Sequence, residues 1–163
     1  MIRRSLLALA AALIAMPALA VSPPWTAVGT TVVIEDSSVP LYDLNPPYLH
    51  FKAGATGIFS GYFNVTDTSG SGTGITTWNT LEISYFDNAP ASQVSATLYQ
   101  LDKCNGTVTT LCTVASSDAA ANSCKSCTFT NIIDFNRYSY WVTAVLYRAT
   151  TNLDPKLFSV KVY

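Results

Sequence analysis

Hydrophobic and polar residues alternate along most of this chain, in short runs rich in Val, Ile, Thr, Tyr and Phe. Such alternation is typical of half-buried β-strands, because successive side chains of a strand point to opposite faces. Gly, Asn, Asp, Ser and Pro separate the runs, as they do in a chain of strands and turns. The predicted strands span residues 30–35, 48–52, 58–66, 81–85, 94–99, 111–115, 128–133, 138–147 and 158–163.

Residues 138–147 carry the strongest strand pattern. Tyr140 and Val142 lie on one face and Trp141 and Val145 on the other, so both faces are bulky and the strand is predicted to be central. The loop predictions are residues 40–47, 66–77 and 116–123. Eight or nine strands in about 130 residues predict an all-β fold, a single antiparallel β-sandwich of jelly-roll or immunoglobulin-like type.

The first twenty residues have the layout of a secretory signal peptide. Arg3 and Arg4 precede an apolar run over residues 6–16, and an Ala-x-Ala site ends at Ala20. That run is shorter than the roughly 20 residues needed to span a membrane. We therefore expect residues 1–20 to be removed and residues 21–163 to form one domain. This domain would have no transmembrane segment and would be secreted or periplasmic in a bacterium.

The charge content excludes one class of partner. Charged residues make up 12% of the chain, and the formal net charge of −1 becomes −3 once Arg3 and Arg4 are removed. A protein that binds nucleic acid through its phosphates normally carries a basic surface. We therefore expect no nucleic-acid partner.

All four cysteines lie after the predicted signal, and an even number in an exported chain favours disulfide bonds. Three connectivities exist. A local pairing joins Cys104 to Cys112 across a hairpin loop centred near Val108, and Cys124 to Cys127 across a bend. A nested pairing joins Cys104 to Cys127 and Cys112 to Cys124. A zinc site or a redox dithiol fits the spacing poorly, since only one pair is separated by two residues and a strand-like segment follows it.

From Leu81 to Tyr163 the chain resembles largely uncharacterised bacterial secreted β-sandwich domains, jelly-roll-like in outline. The matching segments are Tyr85-Phe86-Asp87, Val94-Ser95-Ala96-Thr97-Leu98-Tyr99, Asn105-Gly106, Tyr138-Ser139-Tyr140-Trp141-Val142 and Val160-Lys161-Val162-Tyr163. They are packing patterns, so the resemblance implies a fold and no active site.

No pattern of catalytic or metal-ligating residues stands out. His50 is the single histidine, the nucleophile elbow G-x-S-x-G is absent, and the ten acidic residues are scattered. We expect no catalytic residue, no metal and no cofactor. Aromatic residues are the best remaining candidates for binding, and Trp78, Trp25 and Tyr62 could offer flat faces to sugar rings. The alternative is that these side chains fill the core.

These observations favour an exported, non-catalytic β-sandwich with a structural or binding role, and thus not an enzyme. One alternative is a carbohydrate-binding module, with a glycan as partner. Another is an adhesin or pilus-like subunit, an oligomer in which residues 21–39 pair with a protein neighbour by strand addition.

Overall fold

A computed structural model describes residues 22–163, and the predicted signal peptide with its cleavage site lies outside the described residues. The described part contains thirteen strands and two short 3-10 turns, at Gly29–Thr31 and Asp36–Ser38. The strands are β1 (Trp25–Val28), β2 (Val33–Ile34), β3 (Tyr42–Asn45), β4 (Tyr48–Phe51), β5 (Gly57–Val65), β6 (Ile75–Thr76), β7 (Thr80–Asp87), β8 (Ser92–Asp102), β9 (Val108–Ala115), β10 (Ala119–Thr128), β11 (Ile133–Asp134), β12 (Tyr138–Arg148) and β13 (Lys156–Val162). Within residues 22–163, no helix has the length and hydrophobicity needed to cross a membrane.

Two antiparallel sheets pack face to face. The six-stranded sheet has the order β10-β7-β13-β4-β3, with β1 also paired to β13, and the five-stranded sheet has the order β2-β5-β12-β8-β9. Consecutive strands from β4 onward cross from one large sheet to the other, except at the β8–β9 hairpin and around the separate β6–β11 ribbon. This winding is that of a jelly roll, so the predicted all-β sandwich is confirmed.

The core fills the space between the sheets. Strand β12 pairs with β5 on one side and β8 on the other, which confirms its predicted central position. Its inward side chains Val142, Ala144 and Leu146 are fully buried, while the residues between them are half-buried or exposed. The bulky side chains on the two faces of β12 therefore have different environments: those on one face pack in the core, and those on the other lie on the outer surface.

Several loop and strand predictions need correction. The 3-10 turn Gly29–Thr31 overlaps the predicted strand 30–35, and β6 lies inside the predicted loop 66–77. Strand β3 lies inside the Pro-rich segment 40–47, and β10 begins at Ala119 within the predicted loop 116–123. The predicted strand 128–133 is instead the end of β10 followed by an irregular stretch before β11. The small residues of β10 have little strand propensity, but this edge strand pairs with β7 from Cys124 to Thr128, and such pairing overrides propensity.

The disulfide pairing also differs from both expected pairings. A bond joins Cys112 to Cys127, which links β9 at the edge of one sheet to β10 at the edge of the other. The β8–β9 hairpin places Leu101 opposite Val108, so Cys104 lies in the turn rather than opposite Cys112. Strand β10 is regular through Cys124 and Cys127, which keeps these two apart. Cys104 and Cys124 are exposed free thiols.

One buried charged side chain, that of Arg148, hydrogen-bonds to the loops at the end of the sandwich opposite the β6–β11 ribbon. Arg148, 4% exposed, donates hydrogen bonds to the carbonyl oxygens of Lys52, Ala55 and Leu153 at 2.6–2.9 Å. Its guanidinium also lies 4.7 Å above the ring of Phe51. Burial lowers the pKa of Arg148, because removing the guanidinium from water disfavours its charged form.

Candidate functional site

The outward side of β5, β12, β8 and β9 forms a surface that we call the open face. Strand register arranges its side chains in rows that run across the strands. One row contains Asn64, Trp141, Tyr99 and Thr110, and the next contains Tyr62, Thr143, Thr97 and Thr113. Among the described residues, the outward positions of these four strands include no Asp, Glu, Lys or Arg.

A stacked aromatic pair marks the open face. Tyr99 and Trp141 are directly opposite each other on β8 and β12, and their rings lie 16° from parallel with centroids 5.1 Å apart. Both are half-buried. Since Tyr99 covers one side of the Trp141 ring, the other side is turned toward β5, where Asn64 and Tyr62 lie on the same face.

The open face continues past β5 into a groove. Tyr62, with 38% of its surface exposed, lies between the Trp141 row and a groove of about 460 Å³ that β1, β2 and β5 enclose. The groove is lined by Trp25, Thr26, Ala27, Val28, Thr31, Val33, Tyr62, Phe63 and Asn64. Val33 is 68% exposed and Val28 45%, so the groove presents apolar surface to solvent without any charged group in its lining.

Hydroxyl and amide groups supply the polar chemistry of the open face. The hydroxyl groups of Thr97 and Thr113 hydrogen-bond to each other at 3.0 Å, and Asn64 is exposed beside Trp141. One carboxylate reaches the margin: Glu35, which follows β2, accepts a hydrogen bond from the Ser60 hydroxyl at 2.5 Å. The face can therefore form hydrogen bonds with a neutral ligand and stack against it.

The outward side of the six-stranded sheet is different, because it carries the charges. His50 Nδ1 lies 3.7 Å from Asp154, which also pairs with Lys156 at 2.8 Å. Asp43 and Lys156 flank His50 in the strand register. No serine among residues 22–163 hydrogen-bonds to the His50 ring, which lies instead beside Asp154, Lys156 and Asp43.

The three aromatic residues singled out from the sequence have different environments. Trp78 is 2% exposed, donates its indole N–H to the Pro23 carbonyl at 3.1 Å and packs edge-on against Phe135. It is therefore a core residue, and it does not offer a flat face to a ligand as predicted. Trp25 is 6% exposed and only borders the groove. Tyr62 alone offers an open side chain.

Tyr99 and Trp141 were not among the residues predicted from the sequence to bind a ligand. A signal was present in the sequence, since each is an aromatic residue in a strand with a threonine two positions away on the same face, Thr97 for Tyr99 and Thr143 for Trp141. No group of three or more His, Cys, Asp or Glu residues within the described chain is placed to hold a metal ion.

No family model matches this chain, and no curated protein matches it by sequence. Solved structures are similar in fold. A family two carbohydrate esterase from Cellvibrio japonicus superposes with a TM-score of 0.52 at 8% identity, over 86% of this chain and 33% of that one. TmCBM61, solved with β-1,4-galactotriose, gives a TM-score of 0.42 at 11% identity, over 87% of this chain and 88% of that one. The chain thus spans about a third of the esterase.

Proposed function

We propose that this domain is an exported, non-catalytic carbohydrate-binding module that binds a neutral glycan on the open face. The observation that carries the proposal is the stacked pair of Tyr99 and Trp141 on an uncharged outer surface, beside the exposed Tyr62. Large aromatic side chains on the outside of a sheet are exposed at a cost in free energy, because their burial would be favourable. A ligand that covers them removes that cost.

The chemistry of a sugar ring matches this surface. A pyranose has an apolar side made of C–H groups and a rim of hydroxyl groups. Trp141 and Tyr62 offer flat apolar surfaces, and Asn64, Thr143 and Thr97 offer donors and acceptors beside them. No charged side chain in the Trp141 and Thr143 rows has to be stripped of water when a neutral ligand covers them, whereas an acidic glycan would find no cation to pair with there.

The dimensions favour a short stretch of chain. Neighbouring strands are about 4.8 Å apart, so the row from Asn64 on β5 to Thr110 on β9 is about 14 Å long. The groove beside Tyr62 extends this path toward β1. We therefore expect a bound oligosaccharide to run across the strands, from the Trp141–Tyr99 stack toward the groove.

Export is part of the proposal. The disulfide between Cys112 and Cys127 supports it, because disulfides form and persist outside the reducing cytosol. The other binding role considered, strand donation by residues 21–39, finds less support. From Trp25 onward this segment supplies β1, which pairs with β13, and β2, which pairs with β5, so its strands are already used within the chain.

Titration calorimetry against neutral oligosaccharides, guided by a glycan array, tests the proposal. Replacing Trp141 with Ala should weaken binding about tenfold or more, equivalent to about 1.4 kcal/mol of lost stacking. Tyr62 and Tyr163 form a matched pair, each 38% exposed, but Tyr62 lies on β5 of one sheet and Tyr163 directly follows β13 of the other. Tyr62→Ala should weaken binding, and Tyr163→Ala should leave it unchanged. A blank array, or equal losses in both tyrosine variants, would rule out the open face as the site.

A further inference from the structure

A second cavity lies at the end of the sandwich where β5 and β8 finish and β12 begins; we call it the end cavity. Its volume is about 350 Å³, within the range of small-ligand pockets. The wall includes Gln100, Tyr138, Ile75, Ile132, Asp134 and Arg137. None of these residues belongs to the open face.

Local structure holds this cavity in shape. The β6–β11 ribbon lies at this end of the sandwich, with Ile133 opposite Thr76. The Tyr140 hydroxyl accepts a hydrogen bond from the backbone N–H of Asp134 at 2.8 Å, which fixes β11 against β12. The Asn136 side chain donates to the Thr73 carbonyl at 2.6 Å and fixes the loop that precedes β6.

Gln100 is the unusual residue of the end cavity. It occupies an inward position of β8, in line with the apolar Val94, Ala96 and Leu98, and only 8% of its surface is exposed. Its buried Oε1 accepts no hydrogen bond from any residue of the described chain. Buried polar groups almost always have a partner, so a buried glutamine side chain that borders a cavity and lacks one points to a partner from outside the chain.

The chemistry of the amide limits what that partner can be. The oxygen and nitrogen of a glutamine side chain are assigned from hydrogen bonds, and here no hydrogen bond fixes the choice. A hydroxyl group satisfies either orientation, because it both donates and accepts. A ligand hydroxyl is therefore the group that fits Gln100 whichever way its amide is turned.

The remaining wall combines hydrocarbon with charged groups. Ile132 is 70% exposed and Ile75 48%, so both present hydrocarbon to the cavity and its mouth. Arg137 lies 4.9 Å from the ring centre of Tyr138 and is paired with Asp102 at 3.1 Å, which neutralises its charge. Asp134 adds an acceptor at the wall. This combination suits a neutral ring that carries hydroxyl groups.

We propose that the end cavity binds the terminal sugar unit of a glycan, with a sugar hydroxyl hydrogen-bonded to Gln100 and the ring against Tyr138 and Ile132. This inference rests on the proposed glycan-binding function and adds a second site to it. The open face takes a stretch of chain and the end cavity takes one end. Two sites on one domain would allow it to bind two points of a polysaccharide network at once.

Chemical-shift mapping by NMR tests this proposal on the ¹⁵N-labelled domain with its disulfide intact. The probes are the methyl glycosides of β-D-glucose, β-D-galactose, β-D-xylose and α-D-mannose, each titrated singly. With at least one probe, we expect saturable shifts of the Gln100 side-chain amide and of the backbone amides of residues 131–138. Gln100→Leu should weaken binding at this site, measured by the backbone shifts, at least tenfold. Ile132→Asp, a change at an exposed position, should weaken it without affecting the core.

Stability separates a ligand site from a structural role. Leu fills the Gln100 position without leaving an unpaired amide, so Gln100→Leu should keep or raise the melting temperature while it loses binding. If Gln100 instead served the fold, the same variant would melt at a lower temperature. Trp141→Ala is the control for the other site, and it should leave the shifts at the end cavity unchanged.

The outcomes distinguish this inference from the function on which it rests. Shifts confined to the Trp141 indole, or shifts at the end cavity that survive both Gln100→Leu and Ile132→Asp, would overturn the end cavity and leave the open face standing. The end cavity would also be overturned if oligosaccharides bind but no methyl glycoside shifts residues 131–138. Failure of both the methyl glycosides and the oligosaccharide panel would overturn both proposals.

Discussion

Removing the disulfide between Cys112 and Cys127 should lower the free energy of unfolding by about 3 kcal/mol. The two cysteines are 15 residues apart, and a cross-link that closes a loop of this size restricts the unfolded chain by about 10 cal/mol/K, or about 3 kcal/mol at 25 °C. Both side chains are half-buried, so Cys→Ala at these positions removes little packing beyond the bond itself. For a domain with a total stability of about 5–15 kcal/mol, this is a large share.

Urea denaturation followed by tryptophan fluorescence measures the effect. The double variant Cys112→Ala/Cys127→Ala is compared with Cys104→Ala/Cys124→Ala, which removes two exposed free thiols and should stay within about 0.5 kcal/mol of the parent. Reducing the parent protein with dithiothreitol keeps every side chain in place. It should therefore reproduce the stability of the first double variant, and it should have no effect on that variant.

The pairing itself can be refuted. Digestion without reduction should give one cross-linked peptide pair, containing Cys112 and Cys127. A cross-link that contains Cys104 or Cys124, or an equal loss of stability in the two double variants, would show that the chain pairs its cysteines in another way.

Two further predictions concern buried polar groups. Arg148→Met should destabilise the domain by about 3–5 kcal/mol in the same urea assay, because three carbonyl groups lose a charged donor. The control variant Lys125→Met, at an exposed position, should change the free energy of unfolding by less than about 0.5 kcal/mol. Similar values for the two variants would refute the role of Arg148. The second group is the Tyr140 hydroxyl, whose pKa burial raises to about 12 from an ordinary value of 10.0. Above pH 10 the folded state therefore keeps a proton that the unfolded state loses. The free energy of unfolding should fall by about 2–3 kcal/mol between pH 10 and about 12. Spectrophotometric titration at 295 nm should show Tyr140 ionising last, and in Tyr140→Phe this loss of stability should shrink; an unchanged pH dependence would contradict the assignment.

The architecture was predictable where local pattern and tertiary environment agree. Residues 58–66, 81–85 and 94–99 alternate because one side of each strand faces the core, and the structure places β5, β7 and β8 there. The pattern fails at edge strands. Strand β10 is made of small and polar residues that would suit a loop, and it exists because β7 offers it backbone partners. Nothing local to residues 119–128 contains that information.

The disulfide shows the same limit at a finer scale. Sequence spacing suggested that Cys104 and Cys112 lie opposite each other, which is true only if the hairpin turns near Val108. The hairpin turns about three residues earlier, at residues 103–107, and this shift moves Cys112 to a position opposite Leu98. Its actual partner lies on the other sheet, and only the packing of two sheet edges brings them together.

The candidate sites were less predictable than the fold, because an aromatic residue has the same sequence pattern in a core as on a surface. Trp78 and Tyr62 were equal candidates, and only burial separates them. Tyr99 and Trp141 lie 42 positions apart, and register alone makes them neighbours. Gln100 is still harder to predict from the sequence, because it stands out only by the hydrogen bond that its buried amide lacks.

The low charge of the chain takes on a specific meaning once the two outer surfaces are compared. The six-stranded sheet carries the charged residues Lys156, Glu82 and Lys161 at outward positions. A domain that needed only solubility would spread such charges over both surfaces, because an uncharged aromatic patch promotes unwanted association. The open face lacks them in every outward position of four described strands. This asymmetry is what a binding surface for a neutral ligand requires, so introducing a charge at its centre should be tolerated by the fold and harmful to binding.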